Sequence, residues 1–217
     1  PSGEITNLQL IENAAKKFKK LFISTGMSNY TEIAKAVKTA IKHGCVRKNI
    51  TLLQCTTDYP ASYKEANLNC MQEFKKKFKT EIGYSDHTKG SICSIIAASM
   101  GASIIEKHFT LNKKLKGPDH KASLTPEELI DFVKEVRRVE SFMGIKQKLP
   151  TFSETQTRLS LQKCLVASVP IIKGEIIKEN MFIAKRTGGK GISPLYYKSV
   201  IGKQALTNIS INEIIKI

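Results

Sequence analysis

The sequence has few arginines, no Cys-x-x-Cys pair, no long apolar run and no glycine-rich phosphate loop, and each gap removes a class of function. Of the 35 basic residues only Arg47, Arg137, Arg138, Arg158 and Arg186 are arginines, so lysine carries almost all of the formal net charge of +16. Arginine is the preferred reader of bases and phosphates because its planar fork makes paired hydrogen bonds. Its scarcity argues against a nucleic-acid-binding protein, as do the lysines scattered over helix surfaces (Lys16, Lys17, Lys19, Lys20 and Lys75 to Lys77) and the lack of interleaved aromatics. Solvated faces and an anionic small substrate account for the charge instead. The five cysteines, Cys45, Cys55, Cys70, Cys93 and Cys164, are odd in number and irregularly spaced. That excludes a disulfide framework and a structural zinc site, leaving reduced, mostly buried thiols. No charged segment followed by an apolar stretch precedes the globular pattern, so a cytoplasmic protein with no membrane role is expected. Internal repeats, low-complexity tracts, G-x-G-x-x-G and Walker motifs are absent.

What is present is a chain of two textures. Its 217 residues, 41% of them hydrophobic, are enough for one ordinary domain or a domain plus a small module. Over residues 1–145, short apolar runs alternate with amphipathic helical patterns. The runs Leu21–Ile23, Ile50–Leu53, Glu81–Tyr84 and Ser103–Ile105 have the length and β-branching of buried parallel strands. Asn29 with Glu32 predicts a capping box opening a helix to about His43, where Gly44 follows. Thr125-Pro126-Glu127-Glu128 is a stronger start signal, for a helix with Leu129, Phe132, Val133, Val136, Val139 and Met143 on one face and a stop near Gly144. This α/β rhythm implies a parallel sheet, either doubly wound or an arc of a (β/α)8 barrel.

The polar residues favour the barrel, because every strand ends in a polar cluster: Ser24-Thr25-Gly26, Cys55-Thr56-Thr57-Asp58, Ser85-Asp86-His87-Thr88 and Glu106 through Thr110. Only four strands are evident, with Pro1-Ser2-Gly3-Glu4 as the tail of a fifth, so this stretch cannot close a barrel alone. Residues 146–160 are polar, contain Pro150 and read as a linker, with a helix expected only at Thr157–Leu161. Residues 161–217 carry short apolar runs broken by turns, the pattern of a small β-rich module: Leu165–Ala167, Ile171–Glu175, Met181–Ala184, Gly188–Ser193 and Ser210–Ile214.

His87 and His108 fall at the ends of neighbouring strands, where two imidazoles can reach one ion. Alternation along a strand places Ser85 with His87, and Glu106 with His108, on one side. Two histidines with open positions suit catalytic manganese, zinc or iron, and oxygen-rich surroundings favour manganese. A single histidine would more often be a hydrogen-bonded core residue; two at matched strand ends reverse that balance. Gly117-Pro118-Asp119-His120-Lys121 is a turn-prone loop whose Asp119 can fold over the barrel mouth. Ser2, Ser24 and Ser85 offer hydroxyls for a phosphate, and Glu4 is either a general acid or base or a helix N-terminal charge.

Taken together, these strings resemble the sialic acid (nonulosonic acid) synthase family. The resemblance is carried by Pro1-Ser2-Gly3-Glu4, Ser24-Thr25-Gly26-Met27, Cys55-Thr56 with Tyr59-Pro60, Gly83 to Thr88, Ile105 to Thr110 and Gly117 to Ser123. It continues through Lys173-Gly174-Glu175, Lys185-Arg186, Gly191 to Pro194 and Val200 to Lys203. It implies the C-terminal half of a TIM barrel, from the end of strand 4 to helix 8, followed by an antifreeze-like SAF domain of the β-clip type. It also implies an enzyme that condenses phosphoenolpyruvate with an N-acetylhexosamine: carbon 3 attacks the open-chain aldehyde, water adds at carbon 2, and phosphate leaves by C–O cleavage.

By this resemblance His87 and His108 bind the metal, manganese first and magnesium or cobalt as alternatives. Ser2, Ser24 and Ser85 bind phosphoenolpyruvate, with Thr57 where some relatives place an asparagine. Tyr59 and Asp119 contact the sugar, and Glu4 lies near the reacting carbons. Arg186 enters the active site of a second subunit, which makes a homodimer; Thr187 stands where a proline usually follows it. The resemblance further implies that the earlier barrel strands, with phosphoenolpyruvate-binding lysines and a glutamate near the metal, come from outside these 217 residues. A half barrel would then be poorly soluble or dependent on its complement. N-acetylmannosamine is the expected sugar, with the diacetamido precursors of legionaminic or pseudaminic acid and a non-catalytic dimerisation fragment as alternatives.

Overall fold

The computed structural model describes all residues, Pro1–Ile217. It divides into two compact units, Pro1–Gly144 and Ile145–Ile217. The first holds four parallel strands, β1 (Leu21–Ser24), β2 (Ile50–Cys55), β3 (Glu81–Asp86) and β4 (Ile104–Lys107), hydrogen-bonded in that order. Each crossover moves one strand further in the same direction, with none of the order reversal that marks a doubly wound sheet. The sheet is therefore an arc of a (β/α)8 barrel, as the polar strand ends predict. Pro1–Glu4 is no strand: Ser2–Glu4 forms a 3₁₀ turn leading to α1 (Leu8–Lys17).

Helices α2 (Tyr30–Lys42), α3 (Cys70–Phe78) and α4 (Ile92–Ser99) fill the crossovers, and α5 (Pro126–Met143) follows β4. The capping signals act as predicted: Asn29 with Glu32 and Thr125 with Glu128 both form reciprocal capping boxes. Strand alternation then sorts the side chains into two layers. Leu21, Ile23, Ile50, Leu52, Ile82 and Tyr84 face the helices and pack with Ile33, Val37, Met71 and Phe74 in one core. The intervening positions, Phe22, Ser24, Thr51, Leu53, Cys55, Gly83, Ser85, Ile104 and Glu106, line the concave side. Phe22 there is 56% exposed. Of the apolar stripe predicted on α5, only Phe132 and Val139 are buried; Val133 and Met143 border a cavity of about 450 Å³ shared with α4 and β4.

The second unit opens with α6 (Phe152–Leu161), capped by Thr151 and Glu154. That corrects the linker reading of residues 146–160, because the cap sits six residues before the segment expected to be helical. Strands β5 (Lys163–Ala167) and β6 (Phe182–Arg186) pair antiparallel, with Leu165, Ala167, Ile171, Ile177, Phe182, Val200 and Ile209 forming a separate core. The runs at Ile171–Glu175 and Ser210–Ile214 contribute only isolated bridges, Ile171 with Ile209 and Val166 with Ile214, rather than strands. No helix is long and apolar enough to cross a membrane.

One glycine is required by the concave face. A Cβ on Gly83 would lie 2.4 Å from Leu53 Cδ2 and 2.7 Å from the Ile104 carbonyl oxygen, so Leu53 rests directly on the bare backbone of β3. Gly83→Ala is expected to destabilise the fold by about 1–3 kcal/mol through overpacking. A urea midpoint equal to that of the wild type would contradict this close approach.

Candidate active site

The parallel register aligns the polar strand ends in rows. Cys55 stands beside Ser85, Ser85 beside Glu106, and in the next row Asp86 beside Lys107. Because alternate residues face opposite sides, Cys55, Ser85 and Glu106 open onto the concave face while Asp86 and Lys107 turn toward the helix layer. The Ser85 hydroxyl donates to Glu106 Oε1 at 2.6 Å, tying β3 to β4 across that face. One residue further on, the rings of His87 and His108 meet edge to face with centroids 5.1 Å apart. Tyr59 lies against both, 4.2 Å from His87 and 5.3 Å from His108 between centroids. The loop carrying Tyr59 is tethered by the Ala61 N–H, which donates to the His87 carbonyl at 2.9 Å.

His87 is oriented from behind by a backbone carbonyl, whereas His108 has a carboxylate nearby but no hydrogen bond to its ring. Thr56 O lies 2.7 Å from His87 Nδ1 and accepts a hydrogen bond from its N–H, which leaves Nε2 as the free nitrogen. Cys55 Sγ is 3.7 Å from the same Nδ1. Burial pushes the Cys55 thiol up, but hydrogen bonding with His87 and Ser2, the His87 charge and the Ser85 hydroxyl outweigh it and hold Cys55 below its ordinary value. Burial pushes His87 down, and its bonds to Cys55 and Thr56, with the charges of Cys55 and Asp86, more than reverse that. His108 Nδ1 is 3.8 Å from Asp119 Oδ2. The Asp119 loop is pinned at both ends: Thr110 Oγ1 meets His120 Nδ1 at 2.7 Å, Leu124 N donates to His108 O at 2.9 Å, and Ser123 Oγ donates to Asp119 O at 2.7 Å.

Rings 5.1 Å apart are close enough for one nitrogen of each to reach a common ion at the usual metal–nitrogen distance of about 2.1 Å. No third His, Cys, Asp or Glu side chain converges with them into a ligand cluster. The donor set therefore fits a divalent ion completed by oxygen from water or substrate, and does not fit a closed structural zinc site.

The remaining predicted residues divide into two groups. Ser2 joins the face, its Oγ accepting from Gly26 N at 3.0 Å and lying near Cys55. Ser24 is buried at the end of β1. Thr57 Oγ1 is buried without a hydrogen-bond partner, and a Cβ on Gly26 would sit 2.1 Å from it, so Gly26 is what leaves room for Thr57. A cavity of about 610 Å³ opens beside Thr57, lined also by Thr25, Asn29, Gln54, Glu65 and Asn67. Glu4 stands apart: its carboxylate accepts from Asn7 Nδ2 at 2.7 Å beside the start of α1, and no contact joins it to the histidines. Arg186 is exposed at the end of β6, in the second unit.

Sequence reasoning placed Cys55, Thr56 and Glu106 in the polar strand-end clusters but gave them no role, and it missed the buried group behind the histidines as a unit. That group is Asp86, Lys107, Thr88 and Ser94. Asp86 Oδ2 is 3.0 Å from Lys107 Nζ and accepts from Ser94 Oγ at 2.6 Å, while Oδ1 accepts from Thr88 N and Oγ1 at 2.8 and 2.7 Å. The available signal was the placement of a carboxylate and an ammonium one residue before each histidine.

The model of the NeuB family matches residues 1–148, and that of the SAF domain residues 162–217. An N,N'-diacetyllegionaminic acid synthase from Campylobacter jejuni is 46% identical over 216 residues, 100% of this chain and 64% of its own length. One of the same name from Legionella pneumophila is 38% identical over 213 residues, 97% of this chain and 59% of its own length. The chain thus spans less than two thirds of the curated relatives it matches. Among solved structures, an N-acetylneuraminic acid (sialic acid) synthetase from Leptospira borgpetersenii superposes with a TM-score of 0.65 at 36% identity, covering 74% of this chain and 56% of that one. A match running through the barrel arc, together with a SAF domain after it, means that the chain belongs to the NeuB family.

Proposed function

We propose that the protein condenses phosphoenolpyruvate with a diacetamido sugar aldehyde to give a nine-carbon nonulosonic acid, with release of phosphate. The observation that carries this is the edge-to-face pair His87 and His108 at the ends of adjacent parallel strands, open to the concave face. When bound there, a manganese ion supplies Lewis acidity toward the aldehyde oxygen. Asp119 comes within 3.8 Å of His108, and Ser85 and Glu106 share the concave face with the pair; such oxygen groups favour manganese over softer metals, with magnesium or cobalt as alternatives.

The chain's own residues have distinct tasks in this reading. The Thr56 carbonyl holds the proton of His87 on Nδ1 and so presents Nε2. Tyr59 packs beside both rings and limits how far either can turn. Ser2, Ser24, Ser85 and Thr57 take the phosphoenolpyruvate side, and Asp119 takes a sugar hydroxyl. Glu4 serves the reacting carbons once the complementary strands close the barrel, and Arg186 serves the site of a second copy in a homodimer. The initial expectation of N-acetylmannosamine gives way to a diacetamido sugar, because the relatives named for N,N'-diacetyllegionaminic acid reach 46% and 38% identity, above the 36% of the sialic acid synthetase.

With the complementary N-terminal half of the barrel supplied, together with phosphoenolpyruvate and Mn2+, phosphate release is expected to be faster on the diacetamido sugar than on N-acetylmannosamine. The opposite preference would restore the simpler sugar, and no release on either would reject the reaction. His87→Ala and His108→Ala are each expected to weaken Mn2+ binding by about 10-fold or more; wild-type affinity in both would remove the ligand assignment.

Thr57 separates stability from binding. Thr57→Val keeps the shape and deletes a buried, unpartnered hydroxyl, so urea unfolding should show unchanged or higher stability, by about 1 kcal/mol. A rise in the KM for phosphoenolpyruvate alongside that gain is expected if the hydroxyl serves the substrate; an unchanged KM would take Thr57 out of the site.

A further inference from the structure

We propose that the buried Asp86–Lys107 pair is a positioning device that sets the spacing of His87 and His108. The inference rests on the reading of those histidines as metal ligands. The hydrogen-bonded register of β3 and β4 ends at Asp86 and Lys107, one residue before either imidazole. Beyond that point the strand ladder no longer holds the two histidines to each other. The ion pair takes over where the ladder stops. Lys107 Nζ reaches Asp86 Oδ2 at 3.0 Å and also donates to the carbonyl of Thr88. Asp86 in turn binds Thr88 through both its N–H and its hydroxyl. Both neighbours of His87 are thereby fixed to the residue preceding His108, and Ser94 anchors the assembly to α4.

Stability does not account for such a pair. The side chains of Lys107 and Asp86 are 4% and 0% exposed, so both charges lose their hydration on folding. Apolar residues of similar volume would often hold a buried site as well or better. What apolar residues lack is direction: four hydrogen bonds and one ion pair specify angles as well as distance. The pair also carries no net charge, so it neither repels a dication on the other side of the sheet nor offers it a competing carboxylate.

The test measures Mn2+ affinity by electron paramagnetic resonance alongside thermal unfolding, in the intact protein. Lys107→Met and Asp86→Asn leave one buried partner uncompensated and should lose both stability and affinity. The double variant Asp86→Leu/Lys107→Met should recover thermal stability relative to the single variants while Mn2+ affinity stays down by about 10-fold or more. Ser94→Ala, which removes one bond and keeps the pair, should weaken Mn2+ in the same direction and carries the test if the others fail to fold. Val37→Ala, a core truncation in α2, should lower stability with no change in Mn2+ affinity. Wild-type affinity in the double variant, or in Ser94→Ala if only that variant folds, overturns the proposal and leaves the pair purely structural. Absence of Mn2+ binding in the wild type is a separate result, which overturns the metal reading and this inference with it.

Discussion

The junction of β3 with β4 is the constraint on which the rest of the site depends. A parallel ladder fixes which residues stand side by side, and here it sets Cys55, Ser85 and Glu106 in one row and Asp86 beside Lys107 in the next. From that register the two-residue period of a strand decides everything local. A slip of one residue would turn the histidines into the helix layer and bring an aspartate and a lysine onto the concave face. The cost of slipping is high on both sides: Ile82 and Tyr84 would leave the core, and two charges would lose their ion-pair partner.

The same alternation explains how one short strand serves two purposes. The helix-facing residues of β3 belong to the core of the first unit, while Gly83 and Ser85 on its other side supply room and a hydroxyl. Gly83 lets Leu53 lie flat against the strand, and Ser85 holds Glu106 in place, so the apolar floor and the polar rim are built by neighbouring positions. Tyr59 then closes over the histidines from the loop after β2. The site is a product of loops on a rigid sheet, the usual division of labour at the carboxyl end of barrel strands.

The second unit is held by a different economy. It has one regular strand pair, and most of its backbone bonds come from turns and isolated bridges around Leu165, Ile171, Ile177, Val200 and Ile209. Short apolar runs with glycines between them suit such a module, because a turn such as that at Gly174 (φ +83°) asks for a residue without a Cβ.

Much of this was legible in the residues alone. Apolar runs of three or four residues alternating with helical patterns identified all four parallel strands, and Thr125-Pro126-Glu127-Glu128 marked the start of α5. Strand ends rich in Ser, Thr, Asp and His identified the face that carries chemistry, and the two histidine motifs identified the family. These features are local, so neighbouring residues in the chain suffice to reveal them. Helix α6 was partly missed because Thr151 and Glu154 cap a helix with no buried residue, and without an apolar face there is no period to see. What only the tertiary structure decided was partnership at a distance: Cys55 and Thr56 behind His87, Glu106 under Ser85, and Lys107 reaching Asp86 across the sheet. Such pairs arise from strand register, and register is set by the packing of the whole sheet rather than by the residues that meet.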